Sequence, residues 1–286
     1  MSIILHNGVK VDSEYRISVR DLVVLRGYGL FDFFKVLDFT PIFLDDHIAR
    51  LKKSCKGMNI DFKYTDQEVA DMVYKVIELD GRADMAIRFI VTPGAGKDSA
   101  SPGETQVFCL SESIKLPDAE ALLKGVSLRT YEHKRYLYEY KSVNYISLLA
   151  NKPLLEEAGA DDFLYVYDGE VSESSRSNVF FVTQDNKVVT SPNAILEGIT
   201  RTQLLSIIPT HYELEIRPIL CSELSNFKEA FMTGSTKNVM PIFKIDDITY
   251  THDNLVSQHL SELFEDYTIA YIQKHKKQNL VSVSHK

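Results

Sequence analysis

Cysteine is scarce in this 286-residue sequence: Cys55, Cys109 and Cys221 are the only three. They are widely spaced, odd in number and form no CxxC pair, which excludes a disulfide framework and fits a reducing compartment. Their expected state is three small apolar side chains in the core. Long hydrophobic runs are also missing. No segment reaches the roughly 18 uninterrupted apolar residues that a membrane helix requires. Positive charge is in short supply as well, with 32 Lys and Arg against 40 Asp and Glu and a net charge of −8. That balance argues against nucleic acid or an anionic membrane as the main partner, because both need clustered positive charge. It leaves room for a local positive pocket that holds a small anion. The first residues, MSIILHNGVKVDSEYRIS, lack a basic start, a long apolar run and a small-residue cleavage site. They read as strand, Asn7-Gly8 turn and strand rather than as a leader, so a cytoplasmic protein is expected.

What the chain does contain is 44% hydrophobic and 25% charged residues, the profile of a folded globular protein. Its length suits two domains of about 150 residues. The first 110 or so residues alternate strand and helix patterns. Strands are expected at Ile3–His6, Leu30–Leu37, Met85–Thr92 and Gln106–Leu110. Helices are expected at Leu44–Gly57, with Gly57 as C-cap, and at Thr65–Leu79, where Thr65 and Glu68 form a capping box. The loop Thr92–Glu104 carries a GAGK that falls short of a P-loop, because Asp98 follows the lysine. The strand pattern stops near Ser111–Asp118 and restarts at Val126. The second half reads as hairpins around Asp168-Gly169 and Asp185-Asn186, a helix at Thr200–Ile208 and a long amphipathic helix at Asn254–Lys274. The expected division is an N-terminal α/β domain at 1–113, a linker at 114–125, a C-terminal domain at 126–275 and a frayed tail at 276–286.

Four segments at turns or element ends suit a charged, phosphorylated ligand. Arg50, in DDHIARLKKS, offers a fork that matches a phosphate, or else a solvated surface charge. Lys141 enters the apolar helical run of EYKSVNYISLLANK. Lost hydration there favours a neutral, nucleophilic amine, although a lysine snorkelling at a helix end fits too. Glu173, in GEVSESSRSNVFFV, places a carboxylate before a polar run that also suits a simple turn. In ILEGITRTQLL, Gly198 precedes a helix start whose free N–H groups and Thr200 hydroxyl form an anion site, and FMTGSTKNVMP adds two further hydroxyls.

In this order and spacing, Arg50, KSVNY, E-x-x-x-S-N-x-F beginning 32 residues after the lysine, L-x-GITR and GST…MPI resemble the fold-type IV, or class IV, pyridoxal-phosphate aminotransferases. The resemblance runs from about residue 18 to residue 245. It implies a mixed α/β fold with a smaller N-terminal domain, a larger barrel-like C-terminal domain and the cofactor, pyridoxal 5'-phosphate, between them, in a homodimer. It implies that Lys141 holds the cofactor as an internal imine and shuttles a proton. Glu173 pairs with the pyridine nitrogen, and Tyr145 lies near the phenolic oxygen. Arg50, Ile199, Thr200, Ser235 and Thr236 form the phosphate cradle, Leu196 lies beneath the ring, and Asn178 follows the acid. No metal is implied.

The substrate pocket is read from RGYGLFDFFKV and AIRFIVTPG. The first resembles the family's YGxxxFE segment, with Arg26 where many members carry tyrosine, Asp32 in place of glutamate, and Phe31 as an apolar wall. In the second, Arg88 matches an arginine that serves a substrate carboxylate in the branched-chain members, though the preceding tyrosine is absent. The loop after this strand lacks the arginine and histidine of D-amino-acid aminotransferases, and Tyr145 is present. RYLYEYK departs from RxxPxxK, with Tyr138 in place of proline. The expected activity is amino transfer between an amino acid, of L-branched-chain type, and a 2-oxo acid such as 2-oxoglutarate. D-amino-acid transamination, elimination of pyruvate by an aminodeoxychorismate lyase, and a pseudoenzyme are the alternatives.

Overall fold

The computed structural model describes residues 2–250 and 254–283, with side chains through residue 276. The chain divides into two units, and each is described on its own. The first comprises Met1–Lys115, Tyr140–Asn144 and Ile269–Lys286, and the second Leu116–Glu139 and Tyr145–Thr268.

In the first unit the chain forms β1 (Ile4–His6), β2 (Val9–Val11), α1 (Leu22–Arg26), β3 (Leu30–Leu37), β4 (Thr40–Pro41), α2 (Leu44–Gly57), α3 (Asp66–Asp80), β5 (Met85–Thr92) and β6 (Gln106–Glu112). The strands make one antiparallel sheet in the order β2-β1-β6-β5-β3-β4. One face carries Leu30, Phe34, Val36, Ile87, Phe89 and Val107, packed against Ile48, Leu51, Val69, Val73 and Val76 of the two longer helices. Each fully buried aliphatic side chain contributes roughly 1.5–3 kcal/mol. The expected capping box is present, with Thr65 and Glu68 satisfying each other's backbone N–H groups. Gly57 departs from expectation. It lies inside α2, and Met58 takes the cap. The reason for glycine is space, since a Cβ there would meet the ring of Tyr140 at 2.2 Å.

The second unit holds α4 (Ala119–Lys124), β7 (Val126–Glu132), α5 (Ile146–Ala150), α6 (Lys152–Ala158), β8 (Asp162–Tyr167), β9 (Glu170–Ser174), β10 (Asn178–Val182), β11 (Val188–Thr190), α7 (Ile199–Ile207), β12 (Leu214–Ile216), β13 (Glu229–Gly234), β14 (Asn238–Ile245) and β15 (Ile248–Thr249). The helix α8 (Leu255–Val283) follows, and its later residues count with the first unit. The sheet order is β12-β11-β10-β13-β14-β7-β8-β9, with β15 on β14. β9 is five places from β10 along this path, yet only Ser175–Ser177 separate them, and Ser174 N–H donates to Ser177 C=O at 2.8 Å. The sheet must therefore curl back on itself, and a half-barrel results. At the Asp168-Gly169 hairpin both residues take positive φ, 52° and 77°, as a type I′ turn demands.

Two boundaries differ from the sequence expectation. Residues 119–124 of the expected linker are helical, because Asp118 caps the Ala121 N–H and Gly125 ends the turn. The backbone of α8 runs on through Val283, over a stretch with neither proline nor glycine to stop it, and residues 284–286 lie outside the described residues. The cysteines are free thiols, and burial pushes Cys55 up to about 12. No helix among the described residues is long and apolar enough to cross a membrane.

Candidate active site

Alternation along β3 points Leu30, Asp32 and Phe34 toward the helices. On α2, His47 and Arg50 are three residues apart and so share a face. They meet Asp32 in a buried triad. Arg50 Nε donates to Oδ2 at 2.9 Å and its Nη2 to Oδ1 at 2.7 Å, while His47 Nδ1 lies 2.7 Å from Oδ1. Burial alone would raise the Asp32 carboxyl, but the charges and hydrogen bonds of Arg50 and His47 outweigh it and hold it well below the usual range. Burial pushes His47 down, and the charges of Arg50 and Lys141 add to that against the pull of Asp32. His47 is thus the neutral donor, and Arg50 the cation whose orientation Asp32 fixes.

The triad makes the fold acid-sensitive. A depressed histidine favours folding fully above the unfolded value near 6.5 and less as pH falls below it, and the depressed Asp32 adds a second loss below about 4. Asp32→Asn is expected to lower stability by about 3 kcal/mol at pH 7, by leaving Arg50 without its countercharge. It should also flatten the acid limb. Thermal unfolding from pH 8 to pH 4 checks both, and an unchanged acid limb would exclude the triad as its source.

The segment 140–144 lies along the start of β3. Phe31 N–H donates to Lys141 C=O at 3.0 Å, Val143 N–H to Gly29 C=O at 3.1 Å, and Ser142 bridges Leu30. This backbone pairing brings Lys141 Nζ to 4.6 Å from the centroid of the Phe31 ring. Arg88 stands on the same side of the sheet, its guanidinium 5.4 Å from the Phe31 centroid and 4.8 Å from that of Phe33. Its fork is engaged by Glu112, with Nη2 to Oε2 at 3.1 Å and Nε bonded to Oε1. Arg26 is placed elsewhere. It is exposed at the end of α1 and donates to the carbonyl of Leu25.

In the second unit, Glu173 on β9 is 4% exposed and clamped from three sides. Arg135 Nε donates to Oε1 at 2.7 Å, Leu196 N–H to Oε2 at 2.9 Å, and Asn178 Nδ2 lies 3.3 Å from Oε2. Arg135 is anchored in turn on the carbonyl of Tyr138 at 2.8 Å, and Asn178 on that of Leu196 at 2.8 Å. A Cβ at Gly198 would come within 2.2 Å of Asn178 Oδ1, so the start of α7 requires glycine there. Ile199 and Thr200 open that helix, and no side chain caps it. α7 packs on β13, which ends in the turn bearing Ser235 and Thr236. Tyr145 begins α5 and packs on the cluster of Leu148, Leu155, Phe163 and Tyr165.

Sequence reasoning passed over Arg135, His47 and Glu112, and gave Asp32 no partner. Arg135 carries a visible signal, since it heads the very RYLYEYK segment that ends in Lys141. Glu112 carries none, because only the β5–β6 register puts it diagonal to Arg88.

Residues 29–245 match the family model described as amino-transferase class IV. A D-alanine aminotransferase of Bacillus licheniformis is 30% identical over 254 residues, spanning 86% of this chain and 89% of that protein. A protein of Methanocaldococcus jannaschii that bears the provisional name branched-chain-amino-acid aminotransferase is 29% identical, over 91% and 94% of the two chains. The solved branched-chain aminotransferase of Thermoproteus uzoniensis superposes with a TM-score of 0.85 at 23% identity, covering 94% of this chain and 96% of that one. The residues present fit the family's cofactor. The hydroxyls of Thr200, Ser235 and Thr236 accompany an uncapped helix start suited to phosphate. Arg201 Nε in α7 and Thr233 Oγ1 in β13 are buried without a hydrogen-bond partner. An unbroken family match over most of its length, together with these groups, makes the chain a member of the class IV aminotransferases, enzymes that depend on pyridoxal phosphate.

Proposed function

We propose that the chain transfers the amino group of an L-amino acid with a branched apolar side chain to a 2-oxo acid such as 2-oxoglutarate. The reading is carried by the Lys141 amine lying 4.6 Å over the Phe31 ring, on a face that continues into Phe33. A ring-walled, apolar neighbourhood beside the reactive amine suits an aliphatic side chain. The loop at 92–104 has neither arginine nor histidine, and Tyr145 is present, which favours the L-series over the D-series.

When bound, pyridoxal phosphate supplies an electron sink for the substrate α-carbon. Lys141 Nζ holds it and moves the proton at that carbon. Glu173, fixed by Arg135, Leu196 and Asn178, keeps a proton on the pyridine nitrogen. Arg50, the backbone at Ile199 and the hydroxyls of Thr200, Ser235 and Thr236 bind phosphate, Leu196 supports the ring and Tyr145 steadies its phenolic oxygen. Arg88, over the Phe31 ring beside Lys141, is the candidate for a substrate carboxylate. A cytoplasmic homodimer completes the proposal.

The test is a screen of L- and D-amino acids with 2-oxoglutarate and with pyruvate, read by keto-acid formation. Leucine, isoleucine and valine in the L-series should lead, and faster turnover of D-alanine would overturn the reading. Pyruvate released from aminodeoxychorismate without an acceptor would identify a lyase. Light scattering of the same preparation tests the homodimer.

A further inference from the structure

We propose that the first unit carries a second, non-catalytic site that binds a free α-amino acid with an apolar side chain, in a cavity over β1 and β6. The cavity encloses about 270 Å³, close to the smallest ligand pockets, and its lining includes His6, Tyr15, Arg16, Ile17, Glu104 and Phe108. Strand register places it. His6 pairs with Phe108, Phe108 with Ile90 and Ile90 with Phe31, so all four share one face of the sheet. Three strand spacings of roughly 4.8 Å each separate His6 from Phe31, the residue whose ring lies under the Lys141 amine. The cavity is therefore distinct from that site, and the inference stands whichever amino acid Lys141 turns over.

The wall formed by residues 12–20 has neither helix nor strand, yet it is tied in place. Arg20 Nη2 donates to the carbonyls of Gly96 and Lys97 at 3.4 and 3.2 Å, and Asp21 forms a bridge with Ala95. At the other end the hydrogen bonds run in one direction. Gln106 Nε2 donates to Glu104 C=O at 2.8 Å, which turns its Oε1 toward His6 Nε2 at 2.6 Å. His6 Nε2 is thus the donor, and Nδ1 accepts the Tyr15 hydroxyl proton at 2.8 Å. With both nitrogens engaged, His6 offers a ligand only its ring, which stacks on Phe108 with centroids 4.7 Å apart. Asp21 is spent on the Val23 N–H and the Thr92 hydroxyl. Of the charged lining this leaves Arg16 and Glu104, both exposed. One cation and one carboxylate around Tyr15, Ile17 and the His6 ring complement an apolar zwitterion. Arg16 takes its carboxylate, Glu104 its ammonium and the rings its side chain. A simple anion would meet Glu104 and a simple amine Arg16, so the pair of charges selects against both. Ala95 and Glu104 stand near the two ends of the loop at 92–104, and a bound amino acid fastens that loop to the N-terminal segment.

The experiment is calorimetric titration of borohydride-reduced holoenzyme, which cannot turn its ligands over, with L-leucine, leucinamide and N-acetylleucine. The wild type is expected to bind leucine about fivefold more tightly than either blocked form, the upper size of an exposed ion pair. Arg16→Gln should bring leucine down to the level of leucinamide and leave leucinamide unchanged. Glu104→Gln should bring leucine down to the level of N-acetylleucine and leave N-acetylleucine unchanged. Both side chains are exposed, so both variants are expected to fold, which thermal unfolding checks. Ile17→Ser should narrow the preference for leucine over glycine. Leucine binding that is absent, that ignores both blocking groups, or that is unchanged in Arg16→Gln and Glu104→Gln would overturn the inference. Because no turnover is read, failure of leucine transamination would refute the proposed substrate alone.

Discussion

Lys141→Ala is expected to lower turnover by on the order of 10⁴-fold or more, because in the proposed role no other group replaces an amine that both holds the cofactor and moves the proton. Borohydride reduction of the wild-type holoenzyme should fix the cofactor on the peptide containing Lys141, and the variant should yield no such adduct. The sharpest alternative site is Lys237, beside the hydroxyl turn, whose amine burial pushes down. Lys237 is occupied, however. Its Nζ lies 3.1 Å from Met232 Sδ and 3.9 Å from Asp162 Oδ2. An adduct mapped to Lys237 would overturn the assignment of Lys141.

Glu173→Gln is expected to slow the single-turnover half-reaction by about 10²- to 10⁴-fold while leaving phosphate contacts in place, since an unprotonated ring nitrogen is a weak electron sink. The variant also leaves Arg135 facing an amide, so some loss of stability accompanies it. The two effects separate in the readout. Stopped-flow absorbance reports the chemical step on the folded holoenzyme, and thermal unfolding reports the rest. Wild-type rates in a folded variant would mean that another acid serves the nitrogen. Arg135→Leu is the companion variant, because it removes the clamp and keeps the carboxylate.

Much of this was legible from residues alone. The strands Leu30–Leu37 and Met85–Thr92 and the helix Leu44–Gly57 fall where their apolar periodicities put them, because burial on one face writes itself into local spacing. The helix start at Ile199 was readable as well, because Gly198 and Thr200 flank it in the sequence. What was not legible is pairing across distance. Asp32 with Arg50 and Arg88 with Glu112 are set by strand register or helix facing, and Arg135 with Glu173 by the loop after β7, none of which a local pattern encodes. Gly57 shows the opposite failure. Its position at a helix end suggested a backbone role, whereas the ring of Tyr140 is what excludes a side chain there.

The strip at 140–144 also bears on how the chain is made. β3 has β5 along one edge, but on the other β4 pairs only with Val36 and Leu37. The outer edge at Gly29–Phe31 is covered by the strip that carries Lys141, more than a hundred residues later in the sequence. As the chain leaves the ribosome, the first sheet therefore emerges with half an edge bare and remains so through synthesis of everything up to residue 144. A bare edge is a template for another strand, and closing it late carries the entropy of a long loop. The strip that carries Lys141 is thus also the last piece of the N-terminal sheet, and nascent chains that stall before it carry an open seam for self-association.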